Sequence, residues 1–139
     1  MQPAPHESLE TGVPRVDADH HLHAELIGAL ERLIRRGDDP ALAERTLAQL
    51  VDFTRAHFLS EEMLMRLYAY PRLGQHQQQH ERLTARVGEI RLALAAGASS
   101  RAVEAIGELR AALLDHIRDM DQDFARSCLE IALKDVRAL

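Results

Sequence analysis

The chain has 139 residues, a formal charge of −5, and 46% hydrophobic against 28% charged side chains, the profile of one globular domain with room for a real core. An acidic balance with only 4% aromatic residues excludes general nucleic-acid binding, which needs a basic face for the phosphates or rings for base stacking. One cysteine, Cys128, cannot close an internal disulfide, the N-terminus has no apolar run of the secretory kind, and no stretch approaches the roughly 20 apolar residues of a membrane span. The expectation is a cytoplasmic protein with no membrane association.

Residues 1–15 hold Pro3, Pro5, Gly12 and Pro14 and read as an extended arm. A first helix is expected over 18–36, with Asp17 as its N-cap and Gly37 as its stop. Asp39-Pro40 supplies a cap followed by proline at the first helical position, opening a second helix over 41–67. Tyr70-Pro71 restarts the chain, and a third helix runs over 72–96 to Gly97. Ser99 and Ser100 offer caps for a fourth over 101–125; the tail, 126–139, is helix-like and either continues that helix or folds back. Short connections between long helices imply antiparallel neighbours. The expected fold is therefore all-α, an up-down-up-down four-helix bundle forming a single domain over 1–139.

The inward stripes carry the chemistry. In the second helix Ala43, Leu47, Leu50, Thr54, His57, Glu61 and Leu64 alternate at spacings of four and three, and in the third His76, His80, Leu83, Val87, Ile90 and Leu94 do the same. Polar residues thus occupy core positions at one end of each seam. Burying a neutral polar group without a partner costs on the order of 2–7 kcal/mol, so something must satisfy them. His57 and Glu61 lie one helical turn apart, as do His76 and His80, and each pair can converge on an ion. His20 or His23 projects from the stripe of the first helix, and His116 from the fourth, three residues after Leu113 and four before Met120. Imidazole with carboxylate suits iron or manganese and lacks the thiolates of structural zinc sites. Periodicity leaves His20 against His23 open, and it favours Asp119 over Asp121, which sits about 140° from His116 on an ideal helix.

The segments Val16-Asp17-Ala18-Asp19-His20, His57-Phe58-Leu59-Ser60-Glu61-Glu62, Tyr70-Pro71 followed by His76-Gln77-Gln78-Gln79-His80, and His116-Ile117-Arg118-Asp119-Met120-Asp121 resemble, in order and spacing, the hemerythrin family and its single-domain bacterial members. The resemblance implies two iron ions joined by a bridging oxo or hydroxo group. It assigns His76, His80 and His116 to one iron, His20 and His57 to the other, and Glu61 and Asp121 as bridges. Dioxygen would bind at the iron with two histidines, in an apolar pocket matched by Phe58, Leu113 and Ile117. The implied activity is reversible oxygen binding for storage, delivery or sensing, not catalysis, and sensing would need a separate protein partner. The alternative is a di-iron enzyme acting on peroxide, nitric oxide or ferrous iron.

Outside this set, His23 reads as a polar residue near the bundle end, His21 as solvated and His6 as a surface residue of the arm. Asp119 and Asp123 read as solvated, Glu62 as a salt-bridging or supporting residue, and Cys128 as a small buried apolar one. The chain has no tryptophan, whereas bacterial hemerythrins often carry one shortly before the histidine of the fourth helix. Ala112 stands at that place, and a gap beside the site is expected there.

Overall fold

The computed structural model describes residues 10–138, with side chains throughout that range except residue 15 and residues 131–138. His6 and the first nine residues of the arm lie outside it. Helix α1 spans Pro14–Arg36, α2 Pro40–Leu67, α3 Leu73–Ala95 and α4 Ser99–His116; a π-helical segment, Ile117–Asp121, then leads without a break into α5, Gln122–Ala138. The tail therefore continues the fourth helix. Each of α1 to α4 packs against two neighbours in a ring, α1–α2–α3–α4, closed by α1 against α4. No helix among the described residues is long and apolar enough to cross a membrane.

The helix boundaries follow local chemistry, with two departures from expectation. Asp39 caps α2 through Leu42 N–H at 3.0 Å, with Pro40 next, and Gly37 closes α1 in the left-handed region at φ 67°. α1, however, begins at Pro14, so Asp17 lies inside the first turn and is no cap. Its carboxylate instead accepts from Thr11 N–H at 2.8 Å, Thr11 Oγ1 at 2.7 Å and Gly12 N–H at 3.3 Å, tying the incoming chain to the helix. α4 likewise starts without a side-chain cap, its N-cap being Ala98, so neither serine acts as expected.

The main core holds one fully buried aliphatic side chain from each helix, Leu30, Leu50, Ile90 and Ile106, at 0% exposure. Each contributes roughly 1.5–3 kcal/mol of burial free energy. The inward stripes run as expected along most of α2 and α3. At their ends Met65 and Ala93 are buried in place of Leu64 and Leu94, which are partly exposed. Beyond the histidine layer lies a second apolar cluster of Met65, Tyr70 and Phe124, flanked by Leu64, Leu73 and Cys128. The polar layer is thus enclosed between two apolar ones rather than left at an open end. Asp123, expected to be solvated, anchors this lower plug by accepting from Tyr70 Oη and from Arg72 Nε at 2.9 Å.

Candidate metal centre

His20, His57, Glu61, His76, His80, His116 and Asp121 are all at least nine-tenths buried. Each reaches the centre from a helix seam, except Asp121. That residue closes the π segment, in which Gln122 N–H bonds the carbonyl of Ile117 five residues back. The wider turn carries the fifth residue round over the first, so Asp121 Oδ1 lies 3.1 Å from His116 Nε2. Met120, which an unbroken α-helix would turn inward, is left partly exposed, and Asp119 is exposed.

The carboxylate oxygens divide the centre into two halves. Glu61 Oε1 faces His57 Nε2 at 2.8 Å and His20 Nε2 at 3.7 Å, while Oε2 faces His80 Nε2 at 3.1 Å and His76 Nε2 at 3.5 Å. Asp121 Oδ2 faces His20 Nε2 at 3.1 Å, while Oδ1 faces His76 Nε2 at 2.8 Å and His116 Nε2 at 3.1 Å. One half therefore offers two imidazoles and two oxygens, and the other three imidazoles and two oxygens.

These donors fit metal ions. Adjacent donors about a central ion at roughly 2.0–2.2 Å stand about 3 Å apart, which is the spacing seen here. The contacts have hydrogen-bond length but mostly lack its direction. All ten buried side-chain nitrogens and oxygens that lack a hydrogen bond among the described residues belong to this cluster. Two groups emerge whose donor atoms lie within 4.8 Å of one another: Glu61, His76, His80, His116 and Asp121, and His20, His57 and Glu61.

Supporting contacts fix two rings. His57 Nδ1 bonds Asp19 Oδ2 at 3.0 Å and His80 Nδ1 bonds Glu62 Oε2 at 3.0 Å, with Gln77 holding Glu62. Such carboxylates orient an imidazole and raise its basicity as a ligand. Asp19 was missed in the sequence, although it adjoins His20, because its partner lies 38 residues away. Electrostatics without metal follow the same geometry. Burial opposes the charged form of His20 and His76, yet contacts with Asp121 and Glu61 outweigh it and push both up to about 9. Burial likewise works against ionised Glu61, but the surrounding imidazoles hold its carboxyl well below the usual range.

His23 joins neither donor group; it is 3% exposed and its Nε2 bonds Thr54 Oγ1 at 2.9 Å. Burial keeps it neutral, its pKa pushed down to about 3. It is therefore a core residue, not one at the bundle end. His21 is exposed and meets Glu10 at 3.1 Å. Cys128 is only half-buried, and burial raises its thiol pKa.

Two cavities touch the centre from the α4 side. Leu113 and Ile117 line one of about 190 Å³ together with His20, His23, Ala24, Ile27, Arg110 and Leu114. Phe58 does not line it; its ring lies flat against His80, with centroids 3.9 Å apart. The gap expected at Ala112 is present, a cleft of about 290 Å³ reaching His116 and lined also by Arg82, Arg86, Asp115 and Asp119.

Residues 11–128 match the family model of the hemerythrin HHE cation-binding domain. The chain belongs to the hemerythrin family. It is 33% identical over 118 residues to the bacteriohemerythrin of Pseudomonas aeruginosa, covering 85% of this chain and 76% of that one. The bacteriohemerythrin of Stenotrophomonas maltophilia is 31% identical over 123 residues, covering 86% and 76%. A crystal structure of wild-type hemerythrin superposes with a TM-score of 0.78 at 21% identity, over 91% of this chain and 96% of that one. That last likeness supports the four-helix bundle.

Proposed function

We propose that this hemerythrin-family chain holds two iron ions and binds dioxygen reversibly between them and the apolar cavity of α1 and α4. His20, His57, Glu61 Oε1 and Asp121 Oδ2 would hold one ion and His76, His80, His116, Glu61 Oε2 and Asp121 Oδ1 the other, and a solvent-derived oxo or hydroxo group would complete the centre. The observation that carries the reading is the unequal donor set. The half with one protein donor fewer contains His20, and His20 forms part of the 190 Å³ cavity wall. When bound, the iron pair supplies the electrons that a reversible dioxygen adduct draws on.

The chain's own residues do the rest. Glu61 and Asp121 set the separation of the two positions, while Asp19 and Glu62 keep His57 and His80 aimed inward. Ile27, Leu113 and Ile117 keep water sparse beside His20, which limits competing ligands and the loss of reduced oxygen. A di-iron enzyme acting on peroxide, nitric oxide or ferrous iron is a second reading, favoured by one feature, the polar cleft that reaches His116.

The test is optical. The iron-loaded protein is reduced without oxygen, exposed to oxygen, then evacuated; a coloured adduct that forms and bleaches over repeated cycles is expected. Irreversible oxidation in the first cycle, or turnover with peroxide, would favour the enzyme. Metal analysis giving one zinc per chain and no iron would overturn both readings.

A further inference from the structure

The cavity beside His20 is walled by Ala24, Ile27, Leu113, Leu114 and Ile117, with three polar side chains among its lining: His20, Arg110 and His23. Arg110 is engaged elsewhere, its guanidinium 2.7 Å from Glu31 and nearly half exposed. His20 directs Nε2 towards the carboxylates. His23 remains as a buried polar group on an otherwise apolar wall, and neither donor group of the metal centre contains it. Its one hydrogen bond among the described residues is to Thr54, and its other nitrogen is not among the fully enclosed atoms that lack a partner.

That bond fixes which nitrogen carries the proton. Thr54 is 2% exposed, and a hydroxyl always brings one hydrogen that must find an acceptor. Thr46 and Thr84 give theirs to the carbonyls of Leu42 and His80. Among the described residues Thr54 has no such backbone bond, which leaves His23 Nε2 as the acceptor for its hydroxyl. An imidazole that accepts at Nε2 and is neutral carries its hydrogen on Nδ1. His23 is thereby a fixed donor whose Nδ1–H has no hydrogen bond among the described residues. It lies one turn along α1 from His20, a rise of about 4.5 Å, which suits the far atom of a ligand two or three atoms long.

We propose that His23, locked by Thr54 as its Nδ1–H tautomer, donates a hydrogen bond to the outer atom of the small ligand held beside His20, and so selects ligands whose outer atom carries negative charge. This rests on the oxygen-binding reading above and adds the polar contact that sets its ligand preference. Dioxygen gains such charge as it draws electrons, and linear anions such as azide carry it already; a neutral ligand with a weakly basic outer atom gains nothing from the contact. Thr54 is a positioning residue, acting on the ligand only through His23.

Two measurements test it. In the metal-free protein, nitrogen-15 NMR of the imidazoles reports the His23 tautomer directly. Nδ1–H is expected in the parent chain and a mixture in Thr54→Val; a dominant Nε2–H form in the parent chain overturns the proposal. In the oxidised, iron-loaded protein, azide is titrated optically. A hydrogen bond to a charged acceptor makes His23→Leu bind azide about tenfold more weakly or worse, with affinity recovered in His23→Gln, whose amide can donate. Equal azide affinity in the parent chain and His23→Leu overturns the proposal while leaving the oxygen-binding reading in place. If the iron-loaded parent chain takes neither azide nor oxygen, both fall together.

Discussion

Replacing Ala112 by tryptophan fills the cleft that reaches His116, and its consequences can be estimated from the structure. The cleft of about 290 Å³ runs between α3 and α4 and has Leu83 and Ala112 at its apolar side. Burying about 150 Å² of an indole at ~25 cal/mol per Å² would gain near 4 kcal/mol. Arg82, Arg86, Asp115 and Asp119 also line the space, so part of that area is polar or remains open. Allowing for this and for some strain leaves about 1–2 kcal/mol of stabilisation. The metal-free midpoint should then rise by roughly 3–7 °C. A filled cleft also removes solvent from beside His116, so the oxygenated, iron-loaded variant should autoxidise several-fold more slowly than the parent chain. Both quantities come from simple assays, a thermal melt and the decay of the adduct's absorbance. A variant that melts lower, or autoxidises at the same or a higher rate, refutes the idea that this cleft is a defect in the seal around the metal centre.

Other substitutions probe separate parts of the molecule. Phe58→Ala removes a ring that is 4% exposed and stacked on His80, and should cost about 3–5 kcal/mol in chemical denaturation. Asp39→Ala deletes the α2 cap and should cost about 1 kcal/mol without altering metal content. Glu62→Gln weakens the carboxylate that orients His80 and should lower metal affinity by roughly 10–100-fold in competition with a chelator. pH dependence has a definite sign. His20 and His76, raised to about 9, stabilise the metal-free fold fully below their ordinary value of 6.5, and that stability is lost as pH rises through about 9. Glu61, held low, contributes above the ordinary carboxylate range and loses its contribution on acidification. The metal-free protein should therefore melt highest between these limits. Metal loading at pH 7 should release protons from both imidazoles, measurable by calorimetry in buffers of different ionisation enthalpy.

What was legible in the sequence is what repeats along a regular helix. The His57–Glu61 and His76–His80 pairs, the cap at Asp39 and the stop at Gly37 are local features, and each sits where its spacing places it. Asp121 could not be placed by rotation because the helix changes its winding beneath it, and the ideal angle applied to a turn that is not ideal. Asp17 was misplaced because Pro14 starts the helix one turn early, converting a cap into a clasp. Asp19, Thr54 and the plug of Met65, Tyr70 and Phe124 depend on partners distant along the chain. No periodicity reports such pairings.

The π segment has a consequence for how the centre can be gained or lost. A wide turn of this kind amounts to one surplus residue threaded into a helix, so no single substitution undoes it. Shortening the 117–121 stretch by one residue would restore ordinary winding and leave the core above Leu113 untouched. It would also place Asp121 four residues after His116, one ordinary turn away as Glu61 stands to His57, and would keep Phe124 in phase with the lower plug. The bundle and the arrangement of its donors should both survive such a deletion, whereas straightening the turn with all its residues kept would bring Met120 inward in place of Asp121. Chain length and winding within this one helix are thus matched to each other, and changing either alone would turn Asp121 off the face that His116 occupies.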